Sequence, residues 1–336
     1  MANAPRFAGR VRSASCAAGL LAAALVLPGC WNTEITSRSA EVNASANEEA
    51  LRGEASLARG DREAALRLFV KAIEINPRLT RAHLGMAEVY RLSGDYTSAE
   101  RSARTAVQLE PENFDAQYTH GLMLHVLNRF SDAVGAYVRA LRIRPDDFQA
   151  NLNLATAYYQ LNESKQALPY AQNAARLKPD DGRARFNLGV IYASLDRPAE
   201  AVSEYQQAAE LMELSPPLLL NLSESLGRLN RYAEMRNTLQ RLIELDPTAA
   251  AYERLGFARF KLGEFATARD AFSKSIELDP KYFPALNGLG VCDLNQWLLT
   301  DRRDPTLKDR AVASLRQSLM LNRAQPRIEE LLSRYK

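Results

Sequence analysis

The chain has 336 residues, 25% of them charged and 46% hydrophobic, a balance that excludes a disordered chain and fits a globular or repeat protein. Arg6, Arg10 and Arg12 account for its net charge of +3, because residues 1–29 contain no acidic side chain. The remainder is neutral, which argues against a general nucleic-acid binder. The three cysteines (Cys16, Cys30 and Cys292) make no disulfide framework.

In chain order, the first 30 residues read as a secretory signal. Arg6, Arg10 and Arg12 form a basic start, and Ala17 to Leu27 an apolar core too short for a comfortable transmembrane helix. The segment ends in Leu27-Pro28-Gly29-Cys30, which resembles the bacterial lipobox, although Pro28 departs from the small or aliphatic residue usual there. The resemblance implies a lipoprotein with a signal peptide over 1–29, cleavage before Cys30 and acyl chains on Cys30, enough to hold it stably on a membrane. Trp31 stands where Asp would signal inner-membrane retention. In a diderm cell this implies an exported protein anchored to the outer membrane and facing the periplasm. An ordinary cleaved signal and a retained anchor are the competing readings. Residues 30–45 are polar, lack periodicity and are expected to form a flexible tether.

From residue 46 the sequence repeats. Pro77, Pro111, Pro145 and Pro179 are 34 apart, with Pro247 68 further on, and Ala65, Ala99, Ala133, Ala167 and Ala201 keep the same period. Residues 186–211 show one unit clearly. Leu188, Gly189 and Tyr192 share one helical face, Asp196-Arg197-Pro198 makes a turn, and Ala201, Tyr205 and Ala208 share a second face. This pattern resembles the tetratricopeptide repeat (TPR) family, most plainly in Leu154, Ala155, Tyr158, Ala167, Ala174 and Pro179, and again in Leu255, Gly256, Ala268, Phe272 and Pro280. The resemblance implies an all-α, right-handed superhelical solenoid of about eight helix-turn-helix repeats.

The repeats are read as 46–79, 80–113, 114–147, 148–181, 182–215, 216–248, 249–282 and 283–323, followed by a capping helix over 324–336. Glu49 and Arg52 make the first helix polar, as a solenoid end facing water requires. Asp146-Asp147 and Asp180-Asp181 are expected as helix caps. Pro169 is expected to delay or kink the second helix of repeat four. Glu213 replaces the closing proline of repeat five, so that repeat's second helix is expected to lengthen and the superhelix to change pitch there. In repeat eight Ala311 arrives late, and the extra residues are assigned to a charged loop over Trp297 to Asp309.

No catalytic constellation emerges. His120 and His125 are five apart, about 140° around a helix, and do not share a metal easily; core or surface histidine is the better reading. Cys292, beside Val291, reads as an inert buried thiol. No phosphate-binding glycine loop is present, and no cofactor, metal or small-molecule substrate is expected.

What remains is a groove. In TPR proteins the first helices line the concave surface. The resemblance points to Asn153, Asn187 and Asn221, 34 apart, as an asparagine ladder whose amides pair with the backbone of an extended peptide, with an asparagine common to TPRs at large as the competing reading. Tyr118, Leu122, Leu152, Tyr159, Phe186, Val190, Leu220, Phe257 and Phe260 are the apolar groove candidates, with packing between helices as the competing fate. The Lys/Asn pair of the chaperone carboxylate clamp is absent: Leu84/Glu88, Leu152/Thr156 and Phe186/Val190 stand at its positions. The expectation is a membrane-anchored, non-enzymatic adaptor that binds a protein or peptide in this groove and assists envelope or secretion-complex assembly. The alternatives are a recruiting subunit of a separate enzyme and a purely structural solenoid.

Overall fold

The computed structural model describes residues 30–300 and 302–335, and every regular element among them is a helix. Helices α1 (Cys30–Ala58) and α2 (Arg62–Ile75) form the first hairpin, α3 (Thr80–Leu92) and α4 (Tyr96–Leu109) the second. The third and fourth are α5 (Phe114–Val126) with α6 (Phe130–Ile143) and α7 (Phe148–Gln160) with α8 (Ser164–Leu177). Next come α9 (Gly182–Ser194) with α10 (Pro198–Leu211) and α11 (Pro216–Arg228) with α12 (Tyr232–Leu245). The last pairs are α13 (Ala249–Lys261) with α14 (Phe265–Leu278) and α15 (Phe283–Leu299) with α16 (Pro305–Leu321), after which α17 (Pro326–Tyr335) closes the stack.

Local chemistry sets these boundaries. Asp61, Asp95, Asn113, Asp147, Asp181, Thr248 and Asp304 each cap a helix by accepting a backbone N–H near its start. The hairpin turns at 60, 94, 128, 162, 196, 230 and 263 hold left-handed residues, Gly, Asn or Asp in every case, because these tolerate positive φ. The interior is built from small residues at the helix crossings. Ala65, Ala99, Ala133, Ala167, Ala201 and Ala268 are fully buried. Between them Phe69, Tyr137, Tyr205 and Phe272 alternate with Ala103, Ala171 and Leu239 at the equivalent position of the intervening repeats. Each of these four rings lies against a glycine of the preceding helix: Gly53, Gly121, Gly189 and Gly256.

First helices of successive pairs touch one another (α1 with α3, α3 with α5, and so on to α9 with α11), whereas second helices do not pack together to a comparable extent. The odd-numbered helices therefore line the concave side. The contact is slightest at α5–α7 and α9–α11, is weaker still between α11 and α13, and is fuller again at α13–α15. At the far end Ile328 and Leu332 of α17 are buried with Leu294 and Leu315, and Tyr335 meets Trp297 edge-on at 6.1 Å.

The structure departs from sequence expectation at several points. The signal segment 1–29 lies outside the described residues. The expected tether over 30–45 is helical instead: α1 runs unbroken from Cys30, over a stretch holding neither Gly nor Pro until Gly53. Among the described residues no helix is long and apolar enough to cross a membrane. Glu49 does not face water. It is 8% exposed and accepts from Lys71 Nζ at 2.6 Å.

Helix α8 is not delayed by Pro169, which sits on its exposed face. Helix α10 is not lengthened. It stops at Leu211, where Met212 turns to extended backbone and packs against Gly182. The link after it keeps the four-residue length of its neighbours; the irregular one is 246–248, with three. Finally, the extra residues of repeat eight extend α15 and α16 to 17 residues each rather than forming a loop over 297–309.

Candidate functional site

The three asparagines lie at the same position of α7, α9 and α11, all half-buried, but their environments differ. Asn153 Nδ2 donates to Tyr118 Oη at 3.1 Å, and Asn187 Nδ2 donates to Thr156 Oγ1 at 3.1 Å. Each bond uses one of the amide's two donors. Asn221 makes no side-chain hydrogen bond within the protein and has its full complement free. Asn187 and Asn221 line one open depression with Tyr159, Phe186, Val190 and Thr156, and no charged side chain contributes to it.

Tyr159, Val190 and Asn221 also line a second, adjoining pocket, together with Tyr205, Ser225, Glu224 and Arg228. At its edge Glu224 is 3.4 Å from Arg228 and 4.0 Å from Arg254, and Arg228 is 3.5 Å from Asp196. These charges are matched among themselves. Sequence reasoning placed Tyr205 in the core and did not connect it with the groove. The signal for it was the 68-residue spacing from Tyr137, which puts the two tyrosines in matching places two repeats apart.

The remaining candidates divide. Tyr118 belongs to the packing layer: it stacks on Phe114 at 5.8 Å and meets Tyr137 at 6.0 Å, and burial pushes its hydroxyl pKa up. Leu152 is buried in the core, and Leu122 is half-buried. Phe257, 40% exposed, and Phe260 sit apart from the central groove, in an apolar recess between α13 and α15 with Val291 and Gly288. There Lys261 Nζ lies 5.5 Å from the Phe257 ring.

The titratable residues outside the groove are tied into the scaffold. His120 Nε2 donates to the buried Glu100 Oε1 at 3.1 Å, and His125 packs edge-on against Phe130 at 5.3 Å. Burial lowers the pKa of both histidines. His83 Nε2 bonds the Pro77 carbonyl at 3.0 Å. Burial pushes the Cys292 thiol up to about 12. Its neighbour Asp293, also buried, lies 3.2 Å from Arg269 and 3.6 Å from Arg310, joining α14, α15 and α16.

Family comparison agrees with this architecture. Models described as tetratricopeptide repeat match residues 56–119, 152–217, 218–249 and 249–282, and one described as TPR repeat matches 121–162. The chain is a tetratricopeptide repeat protein. Among solved TPR structures, PilF of Pseudomonas aeruginosa is similar with a TM-score of 0.54 and 20% identity, over 63% of this chain and 96% of its own. YrrB, described as a TPR protein with an unusual peptide-binding site, gives 0.52 and 20% over 60% of this chain and 99% of its own. PilW, described as a widely conserved type IV pilus biogenesis factor, gives 0.52 and 19% over 60% and 94%. At these identities the likeness is one of fold. No curated protein matches the chain.

Proposed function

We propose that this TPR protein is a non-enzymatic scaffold that holds an extended segment of a protein partner in its concave groove, centred on α7, α9 and α11. One observation carries the reading. Asn187 and Asn221 open onto an uncharged depression walled by Tyr159, Phe186 and Val190. Amides that can both donate and accept suit a peptide backbone, and aromatic and aliphatic walls suit its side chains. The peptide-binding description of YrrB and the pilus-biogenesis description of PilW give precedents on the same fold without fixing the partner.

The lipobox-like Leu27-Pro28-Gly29-Cys30 supports an acylated Cys30 that anchors the scaffold at an envelope membrane. From such a site it would serve the assembly of an envelope or secretion complex. Two experiments test the two halves. Alanine at Asn153, Asn187 and Asn221 together lowers recovery of partner in a pull-down; unchanged recovery removes the ladder from the account. Palmitate labels the wild-type chain but not Cys30→Ser, and label retained on the variant refutes the anchor.

A further inference from the structure

The chain carries its own control for the second pocket, 68 residues upstream. Tyr137 and Asn153 occupy the places that Tyr205 and Asn221 occupy two repeats later. In the upstream copy the space above the tyrosine is filled. The Tyr118 hydroxyl accepts from Asn153 at 3.1 Å, and the His125 ring packs 6.3 Å from that of Tyr137. In the downstream copy each filling group is trimmed. Phe186 replaces Tyr118 and has no hydroxyl to offer, Ala193 replaces His125, and Val190 replaces Leu122. A pocket of about 230 Å³ opens as a result, far more than the roughly 30 Å³ of one water.

Three of its polar groups make no hydrogen bond inside the protein; the buried Tyr137 hydroxyl upstream makes none either. Tyr205 is 1% exposed and Ser225 2%, and neither hydroxyl makes a hydrogen bond; nor does the Asn221 amide. Tyr205 lines the pocket together with Tyr159, Glu224 and Arg228. Burial raises its pKa, so it stays protonated and able to donate. Hydroxyls and an amide together present both donors and acceptors. A charged guest would have to compete with the Glu224–Arg228 pair at the pocket edge, whose charges are already matched. An apolar guest would leave the buried hydroxyls unpaired.

We propose that this pocket selects one uncharged, hydrogen-bonding side chain (an amide or a hydroxyl) of the bound peptide. The inference rests on the groove reading above. A displayed library of random dodecapeptides, selected separately on the wild-type chain and on Tyr205→Phe, tests it. The variant keeps the ring against Gly189 and loses only the hydroxyl, and an unchanged melting profile verifies its fold. The expected result is that wild type enriches Asn, Gln, Ser or Thr at one peptide position by about tenfold or more. Tyr205→Phe still selects peptides but loses that preference. The same preference on both proteins, or a charged or apolar residue at that position, overturns the pocket while leaving the groove intact. No peptide selected by either protein overturns both.

Discussion

The ring of Tyr205 covers Gly189 so closely that a Cβ at 189 would lie 2.6 Å from Tyr205 Cε1. The ring is buried against it, so the glycine is fixed by its neighbour and not by a turn. Gly189→Ala gains up to about 1 kcal/mol of helix propensity but forces overpacking that costs about 1–3 kcal/mol. The expected outcome in urea denaturation is a net loss. Gly135→Ala is the contrasting case. There a Cβ meets only Arg139 Nη1 at 3.5 Å, and a gain of about 0.5–1 kcal/mol is expected.

The asparagine ladder separates into structural and free rungs. Asn153→Ala removes the bond to Tyr118 Oη and should cost about 1 kcal/mol of stability. Asn221→Ala breaks no bond within the protein and should stay within about 0.5 kcal/mol of wild type, its effect falling on binding instead. Paired denaturation and peptide-binding titrations on the two variants check this. Equal stability losses would place Asn221 among the packing residues.

Two half-buried histidines make stability depend on pH. Burial lowers the pKa of His120 and His125 below the ordinary 6.5, so the unfolded chain binds more protons as pH falls through that value. Stability is therefore present above about pH 6.5 and is lost on acidification from there toward the folded-state values. Asp293 and Glu253, whose pKa values burial raises, act in the opposite sense at the acid end. The comparison is thus wild type against His120→Gln/His125→Gln, with urea midpoints measured at pH 7.5 and 5.5. The double variant is expected to lose less on acidification.

Cys292, pushed up to about 12 by burial, holds almost no thiolate at neutral pH. In native protein iodoacetamide at pH 8 should leave it unmodified, and unfolding in urea should expose it to complete alkylation. Peptide mapping reads both states; rapid native labelling at Cys292 would show that the α15–α16 packing opens readily.

Most of the fold was legible because its determinants are local and periodic. Capping Asp147 and Asp181, buried Ala133 and Ala167, and the left-handed turn residues recur every 34 positions, and each acts on its own helix end or crossing. Where a residue's surroundings outweigh its own propensity, the fold departs from the local pattern. Pro169 was harmless because it faces solvent. Glu213 did not lengthen α10: Met212 packs on Gly182, at the positions where Lys178 meets Phe148 and Arg144 meets Phe114 in the two repeats before it. Residues 30–45 lack an apolar stripe yet also lack a helix breaker, and the helix continues through them. The groove was half legible. The family's groove positions named Asn187, Asn221, Tyr159, Phe186 and Val190, which line one depression, but the trimming of His125 to Ala193 needed the three-dimensional neighbourhood of Tyr205 before it meant anything.

The central claim is that the concave face over α7, α9 and α11 holds a partner's extended segment. A photo-crosslinking residue placed at Tyr159, compared in cells with one at the exposed Gln206 of α10, tests it most directly. The account predicts a partner crosslinked from 159, mapped by mass spectrometry to one short segment, and displaced when Asn187 and Asn221 are changed to alanine. Crosslinking from 206 in place of 159, or from both equally, would contradict it.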